Sequence, residues 1–362
     1  MRIPGAFLIL LCYLAGPGAS ETLQTSAGTV RIDPVASGLT EPWSLAFLPD
    51  GGYLVTERAG RLWRFGKAGG VEEVSGLPEV RTGGQAGLFD VLVPRDFAET
   101  GEVLLSFART QRLGTGTALA SGRLDGARLS DVKVIWEMPG GSSGGRHFGG
   151  RLAEAPDGSI FLTLGERGAF DPAQDLDLLH GKIVRLTRDG TAAPGNPFPD
   201  RAGGEIWSYG HRNPQGLAFD AEGQLWASEH GARGGDEVNL IRAGANYGWP
   251  IIAYGRHYNG SKIGVGTEAP DMEQPVHYWD PSIAPSGHMV YSGKLWPDWT
   301  GDHFVGSLKF DYIARLDPED GWAEEEVRSG ETGRVRDVRE APDGSIWFLS
   351  VDRGALFRIR PE

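Results

Sequence analysis

Apolar and polar residues alternate along this chain in short runs, and the runs come in pairs separated by a tight turn. The clearest pair occupies residues 45–57: Leu45-Ala46-Phe47-Leu48 leads into Pro49-Asp50-Gly51-Gly52 and out through Tyr53-Leu54-Val55. Related pairs fill residues 152–163, 217–228 and 338–349, turning at Asp157-Gly158, Glu222-Gly223 and Asp343-Gly344. A glycine after an acidic residue supplies the positive φ that a short β-hairpin turn needs, so each pair predicts a hairpin. Weaker copies cover residues 88–107 and 289–305, with Gly101-Glu102 and Gly301-Asp302 in place of the turn. After most of the pairs comes a third short strand, at 60–65, 181–186 and 354–359.

The turns near residues 50, 157, 222 and 343 fit a unit of roughly 50 to 65 residues once the two weaker copies are counted. Repeats of that size belong to propellers or solenoids, and the early strand at 29–35 is left over to complete the last unit. The predicted fold is all-β, a six-bladed β-propeller closed by its N-terminal strand, with long loops on one face. Those loops are the glycine-rich connections at 82–87, 140–150, 192–210, 230–235 and 254–286. Connections this long tend to carry function, so the chemistry is expected where they converge over the central channel.

Composition narrows the setting. Residues 3–15 are mostly apolar, follow Arg2, and precede the small residues Gly16-Pro17-Gly18-Ala19-Ser20, which is the layout of a signal peptide. We therefore expect residues 1–20 to be a leader and 21–362 a single propeller domain, periplasmic or secreted. No segment is long and apolar enough to span a bilayer. The single cysteine, Cys12, would leave with the leader, and Leu11 before it argues against a lipid anchor. With 55 glycines, 23 prolines and no low-complexity tract, the rest reads as one turn-rich unit. A net charge of −13 without a basic run excludes nucleic acid and anionic membranes as expected partners. A monomer and a homodimer remain equally compatible with the sequence.

Polar head groups concentrate in glycine-bearing segments: Gly84-Gln85-Ala86-Gly87-Leu88, Arg146-His147-Phe148-Gly149-Gly150-Arg151, Gly210-His211-Arg212-Asn213-Pro214-Gln215 and Glu229-His230-Gly231-Ala232-Arg233-Gly234-Gly235-Asp236-Glu237. With Gly333-Arg334-Val335-Arg336-Asp337, this set resembles the soluble aldose sugar dehydrogenases that depend on pyrroloquinoline quinone (PQQ), in order and surroundings from about residue 35 to the C-terminus. The resemblance implies oxidation of an aldose at C1 to its lactone, with PQQ and calcium as cofactors and a further electron acceptor as partner. It makes His147 the general base, a role a neutral imidazole can fill near pH 7, with Glu166 orienting it. Arg212 and Asn213 resemble the pair beside the quinone oxygens, and Gln85 a hydrogen-bonding contact at the same end. Lys309, Arg334 and Arg336 resemble the cations that grip the carboxylates of PQQ. The carbonyls of Gly231 and Ala232 match ligands of the calcium beside PQQ, and Glu237 with the Tyr247 carbonyl match a second, structural calcium site. Two departures stand out: Ala232 replaces a common proline, and Arg146 stands where glucose-oxidising relatives carry an acidic residue, so glucose is not assumed as substrate.

Each of these residues also has a plainer role open to it, since a lone arginine is usually a surface charge and a histidine in a glycine-rich loop is often structural. His257, His277, His288 and His303 lack ligand spacing and read as structural, and Trp226 and Trp347 read as packing between blades. Two alternatives differ in class: a calcium-dependent propeller lactonase, which needs several carboxylate and Asn ligands, and a non-catalytic ligand-binding propeller. Convergence of His147, Glu166 and Arg212 separates the enzyme from the binding module.

Overall fold

The computed structural model describes residues 20–362, so the expected 1–20 leader, Cys12 included, lies outside the described residues except for Ser20. Six antiparallel sheets form the molecule. The first blade runs Pro42–Phe47, Tyr53–Glu57, Arg61–Phe65 and Val71–Glu73 from the axis outward, and the other blades repeat this order. The innermost strands are Pro42–Phe47, Leu88–Leu92, Leu152–Glu154, Pro214–Phe219, Pro285–Val290 and Val335–Glu340. Each packs against its successor and the last packs against the first, which closes the ring. In the sixth blade Gly28–Ser37 pairs with Ala355–Pro361, and Glu21–Thr25 lies outside it, so the N-terminal strand closes the propeller as expected.

The turns behave as their residues dictate. Gly51, Gly158, Gly223 and Gly344 have φ of 86, 84, 80 and 88°, and an acidic side chain folds back on the backbone at each turn: Asp50, Asp157 and Asp343 directly before the glycine, and Asp220 rather than Glu222 at Gly223. Asp50 Oδ1 accepts from the Gly52 N–H at 2.8 Å, and Asp343 Oδ1 from the Ser345 N–H at 3.0 Å. The two weaker copies differ: a short helix, Phe97–Thr100, and a 3-10 turn, Pro297–Trp299, fill the space between their first two strands.

Antiparallel order fixes which connections share a face. The links between second and third strands, and those between blades, emerge at one end of the channel; the links between third and fourth strands start at the other, though the long 242–276 link returns to the first end, where Tyr258 lines the cavity. The 192–205 segment joins Lys182–Leu186 to Ile206–Tyr209, so it belongs to the opposite face, and only Gly210 returns to the expected one. The cores lie between blades, as where Leu54 and Leu62 of the first meet Val103, Leu105 and Phe107 of the second. Trp347 packs edge-on against Phe47 and Tyr53 of the next blade, and Trp226 against His303 and Trp322, in the packing role expected of both.

The channel is filled by charge below the loops. Arg151, 1% exposed, lies 3.4 Å from Asp90 Oδ1 and 3.1 Å from Asp337 Oδ1, while Arg339 reaches both carboxylates at 3.3 and 3.1 Å. Three buried charges and the half-buried Arg339, in two signs, tie together innermost strands of the second, third and sixth blades. Arg151 also donates through Nε to the Gln215 carbonyl and stacks 4.3 Å from the Trp43 ring centre, fixing two residues of the floor above it.

Candidate active site

A cavity of about 1080 Å³ opens over this floor. Gln85, Asn213, Gly231, Ala232, Lys309, Arg334 and Arg336 line it, drawn from four blades as the sequence predicts. Trp43, Gln215, His230 and Tyr258 line it too, and sequence reasoning did not single them out. Arg336 donates to Gln215 Oε1 at 3.0 Å and lies 5.7 Å from the Trp43 ring, and Arg334 donates to the Leu308 carbonyl at 2.9 Å. Neither Arg forms an ion pair with a carboxylate among the described residues, and burial together with Arg334, Arg151 and Arg58 pulls Arg336 down to about 9. One detail differs from expectation. Arg334 does not alternate with Arg336 on one strand: it precedes Val335–Glu340 at φ 47°, its N–H held by Asp311 Oδ1, and reaches the cavity from the loop.

His147 stands just behind the wall made by Gln85, Phe148 and Gly149. Its N–H donates to Gln85 Oε1 at 2.7 Å, at φ 53°. Its Nδ1 is hydrogen bonded to Glu166 Oε1, and because a carboxylate only accepts, Nδ1 carries the proton and Nε2 keeps its lone pair. Glu166 is 1% exposed, and its other oxygen accepts from the Phe170 N–H at 2.8 Å. Burial would raise the Glu166 carboxyl, but His147 and the Phe170 N–H outweigh it and hold it below its usual value. Burial lowers the His147 imidazole, Glu166 resists, and Arg212 and Arg146 push it further down. The pair is therefore a neutral base leaning on an ionised carboxylate. Its extra methylene over Asp does not prevent contact.

Arg212 joins this group from the next blade. Its carbonyl accepts from the Glu166 N–H at 2.9 Å, and its guanidinium donates to the carbonyls of His230 and Gly231 and stacks 5.2 Å from Trp249. Its Nε is buried without a partner among the described residues. Asn213 Oδ1 accepts from the Gly149 N–H at 3.2 Å, which orients the amide across the junction of two blades. His147, Glu166 and Arg212 thus converge.

Residues 230–232 form a partition, since they line the large cavity and also a much smaller one behind it. Glu237, Tyr247, Glu229 and Gly210 line the smaller one. Asn239 donates to Glu237 Oε2 at 3.1 Å, and burial, then Glu229, raises the Glu237 carboxyl. The Tyr247 carbonyl accepts no hydrogen bond among the described residues, whereas its hydroxyl donates to the Leu240 carbonyl at 2.6 Å. A buried carboxylate beside a free carbonyl is the donor chemistry a hard cation requires. Gly231 offers its carbonyl on the partition, where Arg212 now takes it.

His230 and Lys182 are further residues that the sequence reading missed. His230 Nε2 donates to the Pro285 carbonyl at 2.7 Å, and burial with the charges of Arg212, Arg336 and His147 drives the ring down to about 3, so it is neutral. Lys182, fully buried, donates to the carbonyls of Pro172, Ala173 and His180 at 3.0, 2.9 and 2.7 Å and tethers the loop that carries Phe170. Burial brings its ammonium down to about 7. Nothing in a strand pattern marks an inward-facing lysine; the glycine-rich context of His230 was the only signal for it. The remaining histidines have structural contacts, as where His288 and His303 bond each other at 2.9 Å.

With this geometry in place, comparison with known proteins decides the family. Residues 39–358 match the family model described as Glucose / Sorbosone dehydrogenase. The chain belongs to that family. It is 40% identical over 356 residues to the aldose sugar dehydrogenase YliI of Escherichia coli, a match covering 94% of this chain and 96% of the relative. The apo-form crystal structure of the soluble aldose sugar dehydrogenase of E. coli superposes with a TM-score of 0.86 at 39% identity, covering 92% of this chain and all of that one. The PQQ-bound aldose sugar dehydrogenase of Streptomyces coelicolor superposes with 0.77 at 29% identity, over 94% and 99%. As a glucose/sorbosone dehydrogenase family member the chain is an oxidoreductase of the sugar dehydrogenase kind, and the six-bladed architecture is shared. Among the described residues no helix is long and apolar enough to cross a membrane.

Proposed function

We propose that this chain is an exported enzyme that oxidises an aldose at C1 to the lactone with PQQ and calcium. The observation that carries the proposal is the His147–Glu166 pair standing behind a wall of the same cavity that holds Arg334, Arg336 and Lys309 without carboxylate partners among the described residues. Bound PQQ would supply the two-electron acceptor for the hydride leaving C1. The residues of the chain do the rest. His147 Nε2 takes the proton of the C1 hydroxyl as the carbonyl forms, and Glu166 steadies the positive charge that the ring then carries. Lys309, Arg334 and Arg336 suit a flat tricarboxylate, and the buried, unpartnered Nε of Arg212 is a donor waiting for an acceptor. Arg212 and Asn213 would hold the quinone end, where a fixed cation favours developing negative charge. Gly231 and Ala232 would hold one calcium by carbonyls; Glu237 and the Tyr247 carbonyl would hold a second. The leader expected over residues 1–20 would carry the enzyme to the periplasm or outside the cell, where an acceptor protein or quinone would reoxidise it.

The deciding measurement is dye reduction by the purified protein over a panel of aldoses, with and without added PQQ and calcium, beside His147→Ala. Activity should need both additions and fall by about 100- to 10,000-fold in the variant. An absence of PQQ binding would reject the reading in favour of a binding propeller.

A further inference from the structure

Beside the His147–Glu166 pair lies a second groove, of about 470 Å³, whose walls are residues 142–146 and 167–169. Chain continuity fixes its place: Arg146 immediately precedes the base and Arg167 immediately follows the carboxylate that orients it. The lining contains no Asp or Glu. In a chain of net charge −13, two arginines sharing a wall without an acidic side chain form a local exception.

The two arginines have different jobs. Arg167 is 3% exposed and spends its donors on the scaffold, bonding the carbonyls of Arg146, Gly144 and Thr115 and the Ser142 hydroxyl. It also lies 3.3 Å from the Phe148 ring centre, and it forms no ion pair with a carboxylate among the described residues. Arg146, by contrast, is exposed and has neither an ion pair nor a side-chain hydrogen bond among the described residues. Its guanidinium rests over Gly168 at φ 80°, where a Cβ would come within 2.6 Å of Nε, so the backbone is shaped to let that side chain lie down. The N–H groups of Ser143, Gly144, Gly145 and Arg146 meet no acceptor among the described residues. Successive free N–H groups beside an unpaired guanidinium are the donor set that holds an oxyanion.

We infer that this groove binds a carboxylate or phosphate on the sugar, so that the preferred substrate is an anionic aldose presented with its C1 to His147. The inference rests on the dehydrogenase reading for the identity of the reacting carbon, but the anion site stands on its own geometry. PQQ is assigned to the other cavity, whose cations are separate residues.

The test compares glucuronate and glucose 6-phosphate with glucose on the PQQ- and calcium-loaded enzyme. We expect higher kcat/KM for one or both anionic sugars than for glucose. Arg146→Ala should lower the anionic-to-neutral ratio about tenfold or more, through KM, with Arg146→Lys recovering part of it. The better of the two anionic sugars says whether the group is a carboxylate or a phosphate. A ratio below one in the wild type, or one that Arg146→Ala leaves unchanged, overturns the inference. Titration calorimetry of glucuronate, glucose 6-phosphate and PQQ supplies a readout independent of turnover. Anionic sugar should bind more tightly than glucose and lose that margin in Arg146→Ala, while PQQ binds the variant as it binds the wild type. Weakened PQQ binding in Arg146→Ala would reassign the groove to the cofactor and defeat the proposal. If no sugar is oxidised at all, the dehydrogenase reading falls, and the calorimetry still decides the groove.

Discussion

Among the described residues two histidines bond a glutamate through Nδ1, and only one of them can act. His147 Nδ1 leans on Glu166, and its Nε2 is open. His211 Nδ1 leans on Glu229 at 2.8 Å, but Ser208 Oγ closes its Nε2 at 2.9 Å and Tyr247 stacks on the ring at 4.5 Å. His211 is fully buried, whereas the His147 side chain keeps 12% of its surface. The comparison shows that a carboxylate partner sets the tautomer but not the function. What makes a base is the unfilled nitrogen, and what makes a strut is a neighbour that fills it.

Substitutions can pull the two pairs apart. The largest effect is expected from Glu166→Gln. It keeps the shape and removes the charge that stabilises the protonated ring, so kcat should fall about 100-fold or more. The pH profile gives the sign. His147 already titrates below 6.5, so wild-type kcat/KM should hold above neutrality and decline as pH drops through that lowered value. Because Glu166 raises the imidazole, its loss should carry the acidic inflection lower still; an inflection that stays put would separate Glu166 from the base. Next in size is His211→Gln, which should read in thermal or urea unfolding as a loss of about 2 kcal/mol, because it leaves the buried Glu229 short of a donor. A loss of turnover without a loss of stability there would reverse the roles assigned to the two pairs. The smallest is Ser208→Ala, worth about 1 kcal/mol of stability with no shift in the pH profile. A new inflection in that variant would mean that the sealed histidine had gained access to substrate.

Much of this fold was legible in the sequence because its signals are local. Asp50-Gly51 and Asp343-Gly344 set their turns with their own atoms, and period-two alternation carries on for the length of a strand. The candidate site was legible only through a set of motifs taken together. His147 and His211 sit in similar glycine-bearing stretches, and no feature within either stretch says which nitrogen Ser208 will cover. Arg334 seemed to share a strand face with Arg336, but Asp311, distant in sequence, turns its backbone left-handed and brings it in from the loop. The 192–205 loop looked like the others because length and glycine content do not record which pair of strands a loop joins. Lys182 was invisible because its three acceptors are carbonyls, which every residue possesses.

The closure of the ring has a bearing on how the molecule is made. Gly28–Ser37, with Glu21–Thr25 on its outer edge, is synthesised early, yet its inner partner, Ala355–Pro361, follows only after the other five blades. Asp33 waits with them for Arg358 and Arg360, which meet it at 3.3 and 2.5 Å across nearly the whole chain. Five blades can pair from their own neighbouring strands, but the sixth cannot be completed until Ala355–Pro361 has been made. The cavity, whose walls come from blades on both sides of that seam, therefore takes its final form only when Gly28–Ser37 and Ala355–Pro361 meet.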